Sequence, residues 1–208
     1  MTKSPQQAAQ SVLIGDAGVI IGFMLGKKFG LLHKVCKVQG YVLQVPAHVE
    51  FEVRRVLEKL DRSNPKQSLA SWAAIKKSGS VEVIKDPAVN SPVAKSVTDY
   101  LGVMSGSSTT SDKDLGEYYV ISHAVDLRDK GFTVAVAIDD GRGRDLARAR
   151  QLEVITTEHL IDLAVNQDLF TSQIELKECY DGIGKFSTLR PFADTFLEAH
   201  QQKREDLR

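Results

Sequence analysis

The sequence predicts an α/β fold: a central parallel β-sheet with helices on both faces, a three-layer α/β/α arrangement, followed by extra C-terminal helices. Three observations predict it. Short apolar, β-branched runs alternate with helical stretches along the chain. Two of those runs, SVLIGD and FTVAVAIDD, end in aspartate, as strands do when they carry polar groups to the carboxyl edge of a parallel sheet. The 208 residues hold 42% apolar and 26% charged side chains, enough to bury one sizeable core.

The elements follow in order. SVLIGD reads as a buried strand ending at Asp16. AGVIIGFMLGKKFGLLHKV reads as one helix or two, weakened by Gly18, Gly22, Gly26 and Gly30. Tyr41 to Val45 is a second strand, and Pro46 suits the first turn of the helix after it. That helix, AHVEFEVRRVLEKLD, sets Val49, Val53, Val56 and Leu60 on one face. A turn at Ser63-Asn64-Pro65 leads to a helix over QSLASWAAIKKS, then to a strand in SVEVIKD. A helix from Ser91 to Val103 and a small-polar loop come next. DKDLGEYYVISHAVDLRDKG is a helix with Asp112 near its cap and Gly131 at its end. FTVAVAI is the clearest strand of the chain. GRGRDLARARQ is a short helix and LEVIT another strand. TEHLIDLAVNQ, QIELKECYDGI and LRPFADTFLEAHQQK read as helices. Residues 1–165 form the expected principal domain, with an insert near 87–112, and 166–208 a helical extension of it.

Composition narrows the function. Twenty-seven cations balance 27 anions, so bulk charge does not mark a strongly basic nucleic-acid binder, although a local basic patch is compatible with it. Cys36 and Cys179 lie far apart, outside any metal-ligand spacing, and read as buried thiols of a reducing compartment. MTKSPQQAAQ lacks a signal-peptide core, and AGVIIGFMLG is too short to span a bilayer. The expectation is a cytoplasmic protein without a membrane partner.

Four acidic segments carry the chemistry: Asp16; Glu52 in VPAHVEFEV; Asp114 with Glu117 in KDLGEYYVISHA; and Asp139 with Asp140. A parallel sheet brings carboxylates at strand ends together, and converging carboxylates make a Mg²⁺ or Mn²⁺ site suited to phosphodiester chemistry. Asp16, Glu117 and one of Asp139 and Asp140 are the expected ligands, with Glu52 a ligand or a water-orienting group. Asp114 lies one helical turn before Glu117 and is a candidate partner. Arg142 and Arg144, just after the acidic turn, are candidates for phosphate contact.

These segments resemble the PIN-domain ribonucleases, a family that includes the toxins of bacterial toxin–antitoxin pairs. VLIGDAGVII is similar to the family's opening strand and aspartate. VPAHVEFEV is similar to its valine–proline strand end with a following Glu, here Glu52. DLGEYYVISHA and AIDDGRGRDLARARQLEVITT resemble its third and fourth acidic segments. The resemblance covers residues 11–165 and departs from the pattern at Gly18, where the family often carries Ser, Thr or Asn, and in the long insert. It implies a metal-dependent endoribonuclease acting on RNA, an antitoxin-like inhibitor protein as partner, and a homodimer.

Plainer readings stand beside each residue. Asp16 can be a helix N-cap, Glu52 a solvated helix residue, and Asp114 and Glu117 charges that compensate a helix dipole. One of Asp139 and Asp140 caps the next helix, and Glu50 reads as plain surface. Thr156 and Thr157 can contact phosphate or cap the helix at Glu158. Two rival functions stay open: a PIN-like module that binds RNA or protein without turnover, and an acid-pocket phosphatase or aspartyl-phosphate receiver.

Overall fold

The structure, a computed structural model, describes residues 11–60, 65–85, 87–104, 115–187 and 189–192. Strands Ser11–Gly15 (β1), Tyr41–Pro46 (β2), Glu82–Ile84 (β3), Thr133–Ala137 (β4) and Glu153–Ile155 (β5) pair in the order β3-β2-β1-β4-β5, each neighbour parallel. Parallel neighbours cannot be joined by a tight turn, so helices make the crossovers. Ala17–Leu25 (α1) and Phe29–Gln39 (α2) link β1 to β2; Ala47–Leu60 (α3) and Pro65–Lys77 (α4) link β2 to β3. Pro92–Met104 (α5) and Leu115–Asp129 (α6) precede β4, and Gly141–Ala149 (α7) joins β4 to β5. Thr157–Asn166 (α8) and Gln173–Gly184 (α9) complete the described chain. The α/β class with a wholly parallel central sheet is as expected.

Strand order reverses at β1: the chain moves outward to β2 and β3, then returns to place β4 and β5 on the other side. Crevices at such switch points are where open parallel sheets bind ligands. β1 and β4 are buried on both faces, from Val12 to Ile14 and from Val134 to Ile138, which explains their continuous rather than alternating apolar pattern.

Several local expectations change. Pro46 is the last residue of β2, paired with Ile84, and the helix starts one residue later. The buried face of α3 is Val49, Val53 and Leu57, all fully buried, whereas Val56 is only partly buried. A strictly 3.6-residue stripe thus holds better than the shorter step from Val53 to Val56. Leu189 to Pro191 is irregular rather than the start of a helix; the rest of that stretch, from residue 193, lies outside the described residues, as do the Ser63-Asn64 turn and Asp112.

The glycines of the first helical stretch have a tertiary reason. At Gly22 a Cβ would stand 2.2 Å from Ser187 Oγ, and at Gly26 it would stand 3.2 Å from the Gly182 carbonyl carbon and 3.1 Å from Ile183 Cγ1. α9 is thereby seated on α1, and its Leu176, Cys179, Tyr180 and Ile183 join the same core as the sheet. Both cysteines are buried, and burial pushes the Cys36 thiol up to about 12 and the Cys179 thiol to about 11. Trp72 is a core residue. No described helix is long and apolar enough to cross a membrane.

Two glycine substitutions separate packing from propensity. Gly30 has open space around it and lies in the first turn of α2, so Gly30→Ala should raise stability by up to about 1 kcal/mol. Gly26→Ala should lower it by about 1–3 kcal/mol, because the methyl group meets the α9 backbone. Urea unfolding of both variants checks the pair; equal effects would mean that α9 is not seated on α1 as described.

Candidate active site at the carboxyl edge of the sheet

The site begins with one backbone hydrogen bond. The Asp16 N–H donates to the Ala137 carbonyl at 2.9 Å, carrying the β1–β4 ladder one residue past the Gly15–Ala137 pair. The Ile138 N–H donates in turn to the Ile155 carbonyl at 3.1 Å. Asp16 and Asp139 therefore leave adjacent strands at the same edge.

A cleft of about 560 Å³ opens there. Asp16, Asp139, Asp140, Arg144, Thr156 and Glu158 line one part of it; Phe186, Ser187, Leu189 and Arg190 line another. Asp16 is both cleft residue and helix cap: its Oδ2 accepts the Gly18 N–H at 3.2 Å. A Cβ at Gly18 would stand 3.5 Å from that oxygen, an ordinary contact, so the glycine is not required by space.

The two aspartates of the acidic turn divide their roles. Asp140 caps α7, its Oδ1 accepting the N–H groups of Arg142 at 2.8 Å and Gly143 at 3.1 Å. Asp139 is held by Thr157, whose N–H and Oγ1 donate to its two oxygens at 2.7 and 2.6 Å. Thr156 is the cap of α8, closing a capping box with His159, so the adjacent threonines also divide their work. Asp139 is therefore the stronger candidate ligand of the pair.

The remaining predicted acids occupy different places. Glu52 projects from α3 over Gly116, where a Cβ would meet its Oε2 at 2.7 Å, and its Oε1 lies 3.4 Å from His48 Nε2. Glu117 is buried and presses on Gly143 in the first turn of α7, where a Cβ would stand 2.7 Å from its Oε2. The helix N-terminus favours negative charge at that position. Glu117 is not among the residues that line the cleft. Among the described residues, no three Asp, Glu, His or Cys side chains stand together as a preformed ligand set. Asp114 lies outside the described residues. Glu50 is not plain surface: it accepts the Trp72 indole N–H at 3.3 Å and pairs with Lys76, clamping α3 to α4.

Electrostatically the edge is under strain. Burial pushes the Asp16 carboxyl up to about 6, against the Gly18 and Ala17 N–H groups that favour its charge, and the charges of Asp139 and Asp140 add to the rise. Burial, with the Asp16 charge behind it, pushes Glu52 up to about 7, offset in part by Arg55. Asp139 is also raised, by burial, although the Thr157 bonds and Arg144 oppose the shift. These are oxygen donors whose ionised form a divalent cation would favour, which fits Mg²⁺ or Mn²⁺ in donor chemistry.

The basic run separates as well. Arg144 lines the cleft near Asp139, and its Nε is buried without a hydrogen bond among the described residues. Arg142 turns away, reaching the Tyr118 hydroxyl at 3.4 Å. Three groups have no clear signal in the sequence. Glu158 reads there as first-turn acid, yet its Oε1 accepts the Arg190 N–H at 2.8 Å and its Oε2 the Arg190 Nε at 2.9 Å. Tyr180 donates to the Arg190 carbonyl at 2.8 Å, and Phe186 forms part of the cleft wall. These contacts depend on a segment 32 residues from Glu158 returning to it, which no local pattern encodes.

The sequence matches no protein-family model and no curated protein.

The raised carboxyls set the pH response. The folded chain keeps protons on Asp16 and Glu52 to higher pH than the unfolded chain, from ordinary values of 3.8 and 4.5. Their stabilising contribution is complete in acid and is lost as pH rises through about 6 and about 7. In EDTA, the melting temperature of the parent protein should fall between about pH 4 and 7.5 more than that of Asp16→Asn. Parallel curves would show that Asp16 is not desolvated as described.

Proposed function

We propose that this chain is a metal-dependent endoribonuclease that cuts RNA phosphodiester bonds in the cleft at the β1/β4 switch point. One observation carries the proposal: two mutually repelling carboxylates, Asp16 and Asp139, share a cleft with Arg144, whose buried Nε lacks a hydrogen-bond acceptor among the described residues. The two carboxylates suit a cation and the guanidinium an anion, and a metal-associated phosphodiester supplies both. The PIN resemblance of the four acidic segments supports the same reading.

Asp16 and Asp139 would hold the Mg²⁺ or Mn²⁺ ion. When bound, such an ion supplies positive charge to the phosphate and to the atoms that react there. The chain's own residues do the rest. Thr157 fixes the Asp139 carboxylate through both of its oxygens. The Arg144 guanidinium, which lines the cleft, donates to a non-bridging phosphate oxygen and orients the phosphodiester. Glu52 does not line the cleft; the Asp16 charge reaches it, and a cation held at Asp16 would relieve that repulsion. Asp140 holds α7, and with it Arg144, at the mouth of the cleft: besides its capping bonds, its carbonyl accepts the Arg144 N–H at 3.0 Å. Glu117 supports α7 from behind through Gly143. By the same resemblance, the proposal extends to a toxin held in check by a protein that fills the acidic cleft, and to a homodimer.

A second reading, an RNA-binding module without turnover, is favoured by the engagement of Asp140 in capping and of Glu117 against Gly143. Incubation of purified protein with single-stranded and structured RNA, with Mn²⁺ and with EDTA, separates the two. The proposal expects cleavage that requires the metal and falls on the order of 100-fold or more in Asp16→Asn and Asp139→Asn. RNA binding without cleavage in any divalent cation would leave the module.

Arg144→Ala should weaken RNA binding and reduce the slope of log affinity against log salt by about one. Arg142→Ala should do so less, since Arg142 points to Tyr118. Filter binding at several salt concentrations checks both, and equal slopes for all three proteins would remove Arg144 from the phosphate path.

A further inference from the structure

The segment that follows α9 crosses back to the cleft, and its attachment is specific. Glu158 receives the backbone N–H and the Nε of Arg190, and Arg190 Nη2 lies 2.6 Å from its Oε2. Tyr180 Oη donates to the Arg190 carbonyl at 2.8 Å and lies 3.3 Å from Glu158 Oε1. Burial works against the Glu158 charge, but the Arg190 bonds outweigh it and hold its carboxyl below the usual range. At the other end of the segment, Ser187 is seated in the notch left by Gly22. The segment is thus fixed at both ends, on α8 and on α1.

Next to the Ser187 anchor one side chain is turned to use. Phe186 is 41% exposed, an uncommon state for a phenyl ring beside an acidic floor, and it lines the cleft that holds Asp16 and Asp139. Ser187 lines it too, but its Oγ is buried in the Gly22 notch and faces α1. A flat apolar ring and the Arg144 guanidinium, lining one cleft, match a nucleotide: base and phosphate.

We infer that Phe186, Leu189 and Arg190 form the base-recognising wall of the cleft. A base of single-stranded RNA stacks on Phe186, and the adjoining phosphate meets Arg144. The Glu158–Arg190–Tyr180 contacts position this wall. The inference rests on the proposed RNA substrate, and it goes further by assigning a strand preference: duplex RNA, whose bases are stacked within the helix, cannot use the wall.

The test is equilibrium binding with Ca²⁺ in place of Mg²⁺ or Mn²⁺, so that the acidic floor is neutralised, with the full chain, three probes and a gel that confirms intact strands. The probes are a single-stranded oligoribonucleotide carrying 2-aminopurine, the same strand in a duplex, and the same strand with abasic positions. Phe186→Ala should weaken binding of the first probe roughly 5- to 100-fold and abolish the 2-aminopurine quenching seen with the parent protein. Phe186→Trp should retain both. Neither substitution should change binding of the duplex or the abasic strand. Phe186 is partly exposed, so Phe186→Ala should fold; a melting curve superimposable on the parent's confirms it. Unchanged affinity and quenching in Phe186→Ala would overturn the wall while metal-dependent, Asp16-dependent cleavage still stood. Failure of the parent protein to bind any RNA would overturn the wall and the proposed substrate together.

Discussion

The site depends on the parallel pairing of β1 with β4. Its last bond, from the Asp16 N–H to the Ala137 carbonyl, sets the first acid of the chain beside an acid 123 residues later in the sequence. Strand order reverses at this pair, so no helix crosses over its carboxyl end to fill the space. A one-residue slip of β1 would turn Leu13 and Ile14, both fully buried, to the wrong faces of the sheet. Burial of that strand thereby fixes the position of a carboxylate. The hydrophobic core and the polar cleft share one register.

Around this pair the structure accommodates charge by taking away side chains. Gly116 makes room for Glu52, and Gly143 makes room for Glu117. In each case the carboxylate lies where a Cβ would stand 2.7 Å from its oxygen. These glycines lie inside or at the start of helices, where glycine is unfavourable by about 1 kcal/mol relative to alanine. Gly22 and Gly26 do the same for Ser187 and the α9 backbone. At these four positions glycine answers a close approach, whereas Gly18 and Gly30 have room for a side chain.

Two partly buried carboxylates in the cleft show how donors decide protonation. Glu158 and Asp16 both meet a desolvation cost, and both accept hydrogen bonds. Glu158 has a guanidinium and falls below its ordinary range; Asp16 has two backbone N–H groups and two neighbouring acids, and rises. The first is therefore a fixed ion-pair anchor. The second is a group whose charge a cation would complete.

Much of the fold was readable in the sequence because it rests on local periodicity. The β-branched runs at Val12–Ile14 and Val134–Ile138 could bury themselves only as strands, and the helices between them required parallel pairing. The placement of Asp16 and Asp139 at one edge followed from that topology. Their division of labour with neighbouring residues did not. Whether Asp139 or Asp140 caps α7 turns on Thr157, which lies on the next strand–helix junction. Arg142 and Arg144 look alike in GRGR, but only Arg144 faces the cleft, because a helix turns by about 100° per residue and two residues point to nearly opposite sides. Glu50 looked like surface because its partners, Trp72 and Lys76, come from another helix. The sequence by itself determined which segments are strands and helices, since that follows from the spacing of apolar residues over a few positions. Only the tertiary structure decided which polar group meets which, because those contacts join residues brought together by the folded core.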